Sequence, residues 1–254
     1  MSQIQSLRRI LFDTTTSSFY YNYHNVEPDK QSWNNNHPIF PYLIRVLKPE
    51  LIIEVGTYKG VSAIEFAKIA ESLDLGTHVI AIDHFLGHYS YYLGESDESL
   101  PFELNTNTTR ESFRWLNIQN GSPSLYKTFM KNVITSSCTD RITPVQLDTV
   151  SAYKLLHRIG ITAEIIYIDG DHSYDAAYWD LKNYSKLLKG GGAIVLDDYG
   201  YSGVTRAVYQ FLAESWSDRD NADEWIAAFE YGKAVLTRNR SLSVTSKLAV
   251  FQSV

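Results

Sequence analysis

Tyr167-Ile168-Asp169-Gly170-Asp171-His172, read with the later Val195-Leu196-Asp197-Asp198, is the stretch on which the fold turns. Each acidic group stands at the exit of an apolar run, Ile165 to Ile168 and Ala193 to Leu196, that reads as a buried strand. In open α/β sheets, ligands gather outside the carboxyl ends of the strands. Two neighbouring strands would therefore bring Asp169, Asp197 and Asp198 to one point. Three crowded carboxylates either raise one another's pKa or take up a cation. A hard divalent ion with oxygen ligands, such as Mg²⁺, is the natural occupant. His172 stands beside that point, and histidine is the side chain suited to moving a proton near neutral pH. Asp171 alternates away from Asp169 in an extended segment and is left out of the ligand set. The plainer alternatives are that Asp169 caps the next helix, that Asp197-Asp198 is an ordinary turn, and that His172 is a structural hydrogen-bonding residue.

Outward from this stretch, apolar runs and helical spacings alternate. Leu51 to Gly56, His78 to Asp83 and Ile142 to Leu147 read as strands. Val61 to Leu73, Leu125 to Ser136, Ser151 to Arg158 and Val204 to Ser215 read as helices. Tyr174 to Leu188 is amphipathic, and Gly190-Gly191-Gly192 is expected to terminate it. Trp225 to Phe229 and Ala234 to Thr237 read as an antiparallel hairpin closing the sheet. The β-α alternation predicts an α/β fold, a Rossmann-like doubly wound, mostly parallel sheet. One domain is expected over residues 1–254. Residues 1–50 form a helical cap in which Lys48-Pro49 stops the helix Ile39 to Leu47. In 86–123 the pattern dissolves into aromatics, acids, Asn and Thr, which predicts a lid-like insertion.

Composition narrows the function classes. The formal charge of −6 over 254 residues offers no basic footprint for a nucleic-acid backbone. One cysteine, Cys138, excludes an internal disulfide and points to a reducing compartment. Neither a signal-peptide run nor a membrane-spanning stretch is evident, so a soluble cytoplasmic protein is expected, with a homo-oligomer left open.

Glu54-Val55-Gly56-Thr57-Tyr58-Lys59-Gly60-Val61-Ser62 joins the first strand to its helix. Gly56 permits a tight turn and Gly60 a close backbone approach. The helix start then offers N–H groups to a carboxylate or phosphate. The three-glycine spacing of the dinucleotide fingerprint is absent. Asp83, ending the second strand, is placed to bind ribose hydroxyls. Lys59 defaults to a solvated lysine, Tyr174 and Trp179 to packing.

Glu54 to Ala63 resembles the first motif of catechol-type class I S-adenosylmethionine-dependent methyltransferases. Tyr167 to Asp175, with Leu196-Asp197-Asp198-Tyr199 and Gly203 to Val208, is more narrowly similar to the methyltransferase domain 24 group. That group includes macrolide sugar O-methyltransferases and cephalosporin-hydroxylase-like proteins. The resemblance covers roughly Leu51 to Thr237. It implies S-adenosylmethionine held by the Glu54 to Ser62 motif, with Tyr58 and Ser62 at the methionine moiety, Asp83 at the ribose and Gln146, Leu147 or Asp148 at the adenine. It also implies Asp169, Asp197 and Asp198 as ligands to Mg²⁺ or another divalent cation, and His172 as general base. The implied activity is O-methylation of a small hydroxylated molecule, with a sugar moiety of a glycosylated metabolite ahead of a catechol-like phenol. A non-methylating hydroxylase-like protein and a small-molecule binding protein are the alternatives. Residues 83–87 depart from the family's pattern.

Overall fold

A computed structural model of the chain describes residues 1–23, 25–32, 37–93, 111–217, 225–230 and 232–238. Its elements run α1 (Gln3–Phe12), α2 (Ile39–Leu47), β1 (Leu51–Val55), α3 (Val61–Ser72), β2 (His78–Asp83), α4 (Tyr89–Leu93) and α5 (Glu111–Trp115). There follow β3 (Ile118–Gln119), β4 (Ser122–Pro123), α6 (Leu125–Thr135), β5 (Ile142–Gln146), α7 (Thr149–Arg158), β6 (Ala163–Ile168) and α8 (Tyr174–Tyr184). The chain continues through β7 (Leu188–Leu196), α9 (Ser202–Ser217), β8 (Trp225–Glu230) and β9 (Lys233–Arg238). The main sheet has seven strands in the order β5-β2-β1-β6-β7-β9-β8. From β5 to β7 every pairing is parallel, whereas β9 runs antiparallel to both β7 and β8. The fold is the expected Rossmann-like doubly wound sheet with an antiparallel closing hairpin.

The central strands are mostly apolar because both faces are covered. Alternate residues of β1 divide between two cores, Leu51, Ile53 and Val55 on one side and Ile52 on the other. The first core packs α7, α8 and α9 through residues such as Leu156, Leu181 and Val208. The second packs α2, α3 and α6 through Leu43, Phe66 and Phe129. Lys48 ends α2 in the left-handed region, with its N–H on the Ile44 carbonyl, immediately before Pro49. Upstream, the buried Arg8 of α1 donates to Thr143 Oγ1 at 2.9 Å and to the Ile142 carbonyl, pinning the N-terminal helix to β5. Among the described residues no helix is long and apolar enough to cross a membrane.

One expectation needs correction. The glycine triplet does not terminate α8; it lies inside β7, and the helix ends at Tyr184 with one 3₁₀ turn, Ser185–Leu187. The reason is close approach: a Cβ at Gly192 would sit 2.4 Å from the Glu164 carbonyl oxygen, where the β6–β7 register shifts. Within 86–123 the described residues hold short helices and the hairpin β3–β4. Its turn, Asn120-Gly121, has φ of 52° and 81°, as a type I′ turn requires. Residues 94–110, the middle of the expected lid, lie outside the described residues.

Candidate active site

The strand order reverses between β1 and β6, since β1 leads to β2 on one side and β6 to β7 on the other. A crevice at the carboxyl ends of these strands is where an open sheet binds ligands. Here the glycine loop and the acidic motif meet. The Asp169 N–H donates to the Val55 carbonyl at 2.8 Å. Gly56 has φ +88°, and a Cβ on it would lie 2.0 Å from the Asp169 carbonyl oxygen. Only glycine lets the two loops touch.

Asp83 locks the far side of the loop. Its Oδ2 accepts the Tyr58 N–H at 2.8 Å and its Oδ1 the Phe85 N–H at 2.6 Å. Burial raises its pKa, opposed by these two donors. The start of α3, at Gly60, has no side-chain cap. Gly60 thus leaves the first-turn N–H groups without a capping side chain of its own. The Ser62 hydroxyl, expected at a bound carboxylate, instead donates to Glu54, as does Thr57 Oγ1 at 2.6 Å. Glu54 and Ser62 thus brace the loop from beneath. Asp148 follows β5 and caps α7, accepting the Ser151 N–H at 2.8 Å.

Lys59 is not solvated. It is 2% exposed and pairs with Asp29 Oδ2 at 2.6 Å. Asn132 completes the clasp by donating to the Asp29 and Lys59 carbonyls, so residues 25–32 are strapped across the loop. Tyr174 and Trp179 pack against the core as expected, under Arg206 and against Tyr153 respectively.

Glu54 is wholly buried, and burial pushes its pKa up to about 7 from 4.5 despite the two hydroxyl donors. A carboxyl with a raised folded pKa contributes stability that is complete below about pH 4.5 and lost as pH rises towards 7. Glu54→Gln should flatten that limb of the melting-temperature profile, removing a loss on the order of 3 kcal/mol. Calorimetry between pH 4.5 and pH 8 checks this; profiles of wild type and variant that stay parallel would count against it.

Beside this loop, β6 and β7 deliver the acidic cluster. One ligand atom each from Asp169, His172 and Asp198 lie within 4.8 Å of one another. His172 Nε2 is 2.8 Å from Asp198 Oδ2. Asp169 is pushed well above the usual carboxylate range, first by burial and then by the charges of Asp197 and Asp198. A cation among these groups would relieve that repulsion, and the carboxylate oxygens suit a hard divalent ion. Asp197 stands differently from the sequence expectation. Its Oδ1 pairs with Lys233 Nζ and accepts the Asp198 N–H, while its Oδ2 meets the Tyr167 hydroxyl. The same hydroxyl lies 3.1 Å from Asp169 Oδ2. Lys233 is 2% exposed, with its ammonium 5.5 Å from the Phe40 ring centroid. Sequence reasoning passed over it. The available signal was a lone lysine opening an apolar strand, because a buried lysine requires a partner.

The described flanks of the 86–123 segment border this crevice. His88 Nε2 is 3.6 Å from Asp171 Oδ2, and the Asp171 pKa is depressed chiefly by His88. The Tyr58 hydroxyl donates to Gln31 Oε1 at 3.1 Å and lies 3.4 Å from the Trp115 carbonyl.

A family model described as "Methyltransferase domain" matches residues 53–199, which contain both the glycine loop and the acidic cluster. No curated protein matches the chain. Among solved structures, the O-methyltransferase NovP is similar with a TM-score of 0.56 at 16% identity, covering 90% of each chain. The SAH-bound Podospora anserina methyltransferase PaMTH1 scores 0.55 at 15% identity, over 87% of this chain and 86% of that one. TomG, an O-methyltransferase from Streptomyces achromogenes involved in tomaymycin synthesis and solved with SAM, scores 0.51 at 13% identity, over 92% and 95%. At these identities the likeness speaks for the fold.

Proposed function

The chain belongs to the methyltransferase-domain family, and on that premise we propose that it is an S-adenosylmethionine-dependent, divalent-cation-assisted O-methyltransferase of a small hydroxylated molecule. The observation carrying this reading is the contact at Gly56, which sets the glycine loop, held on its far side by Asp83, against Asp169. A methyl donor and an acceptor hydroxyl would be held side by side there. O-methyltransferases of similar fold, including one solved with SAM, agree with this reading. The sugar moiety of a glycosylated metabolite is the preferred acceptor, from the spacing of His172 after Asp169. The net charge of −6 and the single cysteine favour a small-molecule acceptor over nucleic acid, in a cytoplasmic setting.

When bound, S-adenosylmethionine supplies an electrophilic methyl and the cation acidifies the acceptor hydroxyl. The chain does the rest. Asp83 is pre-set by two backbone donors to receive ribose hydroxyls, and the uncapped start of α3 receives a carboxylate. Asp169 and Asp198 offer charge to the cation from within the cluster, and Asp197 from beside it. His172 takes the acceptor proton. Positioning of this kind can supply roughly 7–11 kcal/mol.

Transfer of radiolabelled methyl to a panel of glycosides and phenols, with and without chelator, tests the proposal. Activity should vanish with EDTA and return with Mg²⁺; full activity in chelator would remove the cation from the mechanism. General-base catalysis is typically worth about 10²–10⁴-fold. His172→Ala should accordingly lower kcat at least about a hundredfold while Mg²⁺ and S-adenosylhomocysteine affinity hold. A variant that loses Mg²⁺ affinity instead would make His172 a ligand, and one that keeps its kcat would make it structural.

A further inference from the structure

The acidic cluster carries a cation of its own, which the mechanism above leaves unused. Ala234 pairs with Leu196 in the antiparallel ladder between β7 and β9. One residue further along, Lys233 at the start of β9 comes level with Asp197, and its ammonium pairs with Asp197 Oδ1. Two rings wall it in, Phe40 with its centroid 5.5 Å from Nζ and Tyr167 at 5.7 Å. An ammonium enclosed in this way needs its carboxylate, because one buried charge left without its partner is strongly destabilising.

Both oxygens of Asp197 are committed inside the protein. Oδ1 also accepts the Asp198 N–H at 2.7 Å, and Oδ2 meets the Tyr167 hydroxyl. That hydroxyl stands 3.1 Å from Asp169 Oδ2 as well, so Asp197 and Asp169 share it. Among the described residues, the side chains whose ligand atoms converge are Asp169, His172 and Asp198, and Asp197 is not with them. The charges divide in the same way. Lys233 balances one of the three carboxylates, and the two that remain match a divalent ion.

We propose that Lys233 is a positioning residue of the cation site. It holds Asp197 out of the coordination sphere, and through Asp197 and the Tyr167 hydroxyl it orients Asp169. Asp169 and Asp198 are then the carboxylates that meet the ion, and Asp197 is a brace. The inference rests on the cation in the proposed function and narrows its ligand set.

Calorimetric titration of Mn²⁺, standing in for Mg²⁺, into the full chain tests it. The variants are Lys233→Met, Asp197→Asn and the two combined, with Asp198→Asn as the control that loses a ligand. Lys233→Met frees Asp197 and should tighten Mn²⁺ binding at least about tenfold, the low end for one unit charge a few ångströms from a divalent ion. Asp197→Asn leaves the ammonium opposing the ion and should weaken binding at least about tenfold. The combined variant removes both charges together, and its affinity should return to within about threefold of wild type, as expected of a coupled pair. A merely structural lysine would give no such rescue. Should a single variant fail to fold, the combined one, which buries no unpaired charge, still decides. Equal loss of affinity in Asp197→Asn and the combined variant would make Asp197 a ligand and overturn the assignment, leaving the cation in the proposed function intact. Unchanged affinity in Lys233→Met would overturn it too. A wild type that binds no Mn²⁺ would overturn both the assignment and the cation.

Discussion

Gly56→Ala should destabilise the protein by about 3–5 kcal/mol and abolish cofactor binding. Two effects add. The residue sits at φ +88°, where any Cβ is strained, and that Cβ would meet the Asp169 carbonyl oxygen at 2.0 Å and its carbon at 2.6 Å. Both obstacles are backbone, so no rotamer change relieves them. The neighbouring hydrogen bonds, Gly56 N–H to the Ile82 carbonyl and Asp169 N–H to the Val55 carbonyl, would have to stretch. For a chain of this length the melting temperature should fall on the order of 10 °C. Gly76→Ala is the matched control, because a Cβ there meets nothing within 4 Å and its φ is not in the left-handed region. Equal melting temperatures for the two variants would refute the claim that the loops meet at Gly56.

Asp169→Asn separates stability from function. Burial, Asp197 and Asp198 all oppose its charge, in that order, so its folded pKa is raised. The penalty is absent below its ordinary carboxylate pKa and grows as pH rises above it. A neutral amide of the same shape should therefore leave the melting temperature equal or higher at pH 8, relative to wild type without metal. Methyl transfer should nevertheless drop at least about a hundredfold, the scale expected when a principal electrostatic group is removed. Mg²⁺ affinity, read by calorimetry, should fall with it. A variant that is less stable yet fully active would mean that Asp169 is a structural cap.

Much of this was legible in the sequence because it is written in local pattern. Apolar runs ending in Asp83, Asp169 and Asp197 located three strands of the sheet, and the glycine loop located the first turn. What escaped was decided by contacts between distant segments. Asp197 looked equivalent to Asp198, but the closing hairpin brings Lys233 to it, and nothing local to residue 197 announces that pairing. Lys59 looked solvated because its partner Asp29 lies in the N-terminal segment. Ser62 looked available to a ligand because the upward reach of the buried Glu54 carboxyl cannot be read from spacing. The glycine triplet looked like a helix stop, since its purpose, close approach to Glu164, is a property of the neighbouring strand. Like Lys233, the Asn120-Gly121 hairpin did carry a local signal, in its case a dipeptide that marks type I′ turns.

The central claim is that the crevice between β1 and β6 is built for S-adenosylmethionine. Calorimetric titration of S-adenosylhomocysteine into the full chain tests it most directly, with Asp83→Ala as the companion. The account predicts one site per chain in wild type and a loss of roughly 1–3 kcal/mol in the variant, the worth of a charged hydrogen bond. No heat of binding at millimolar ligand, or equal affinity in the two proteins, would contradict it.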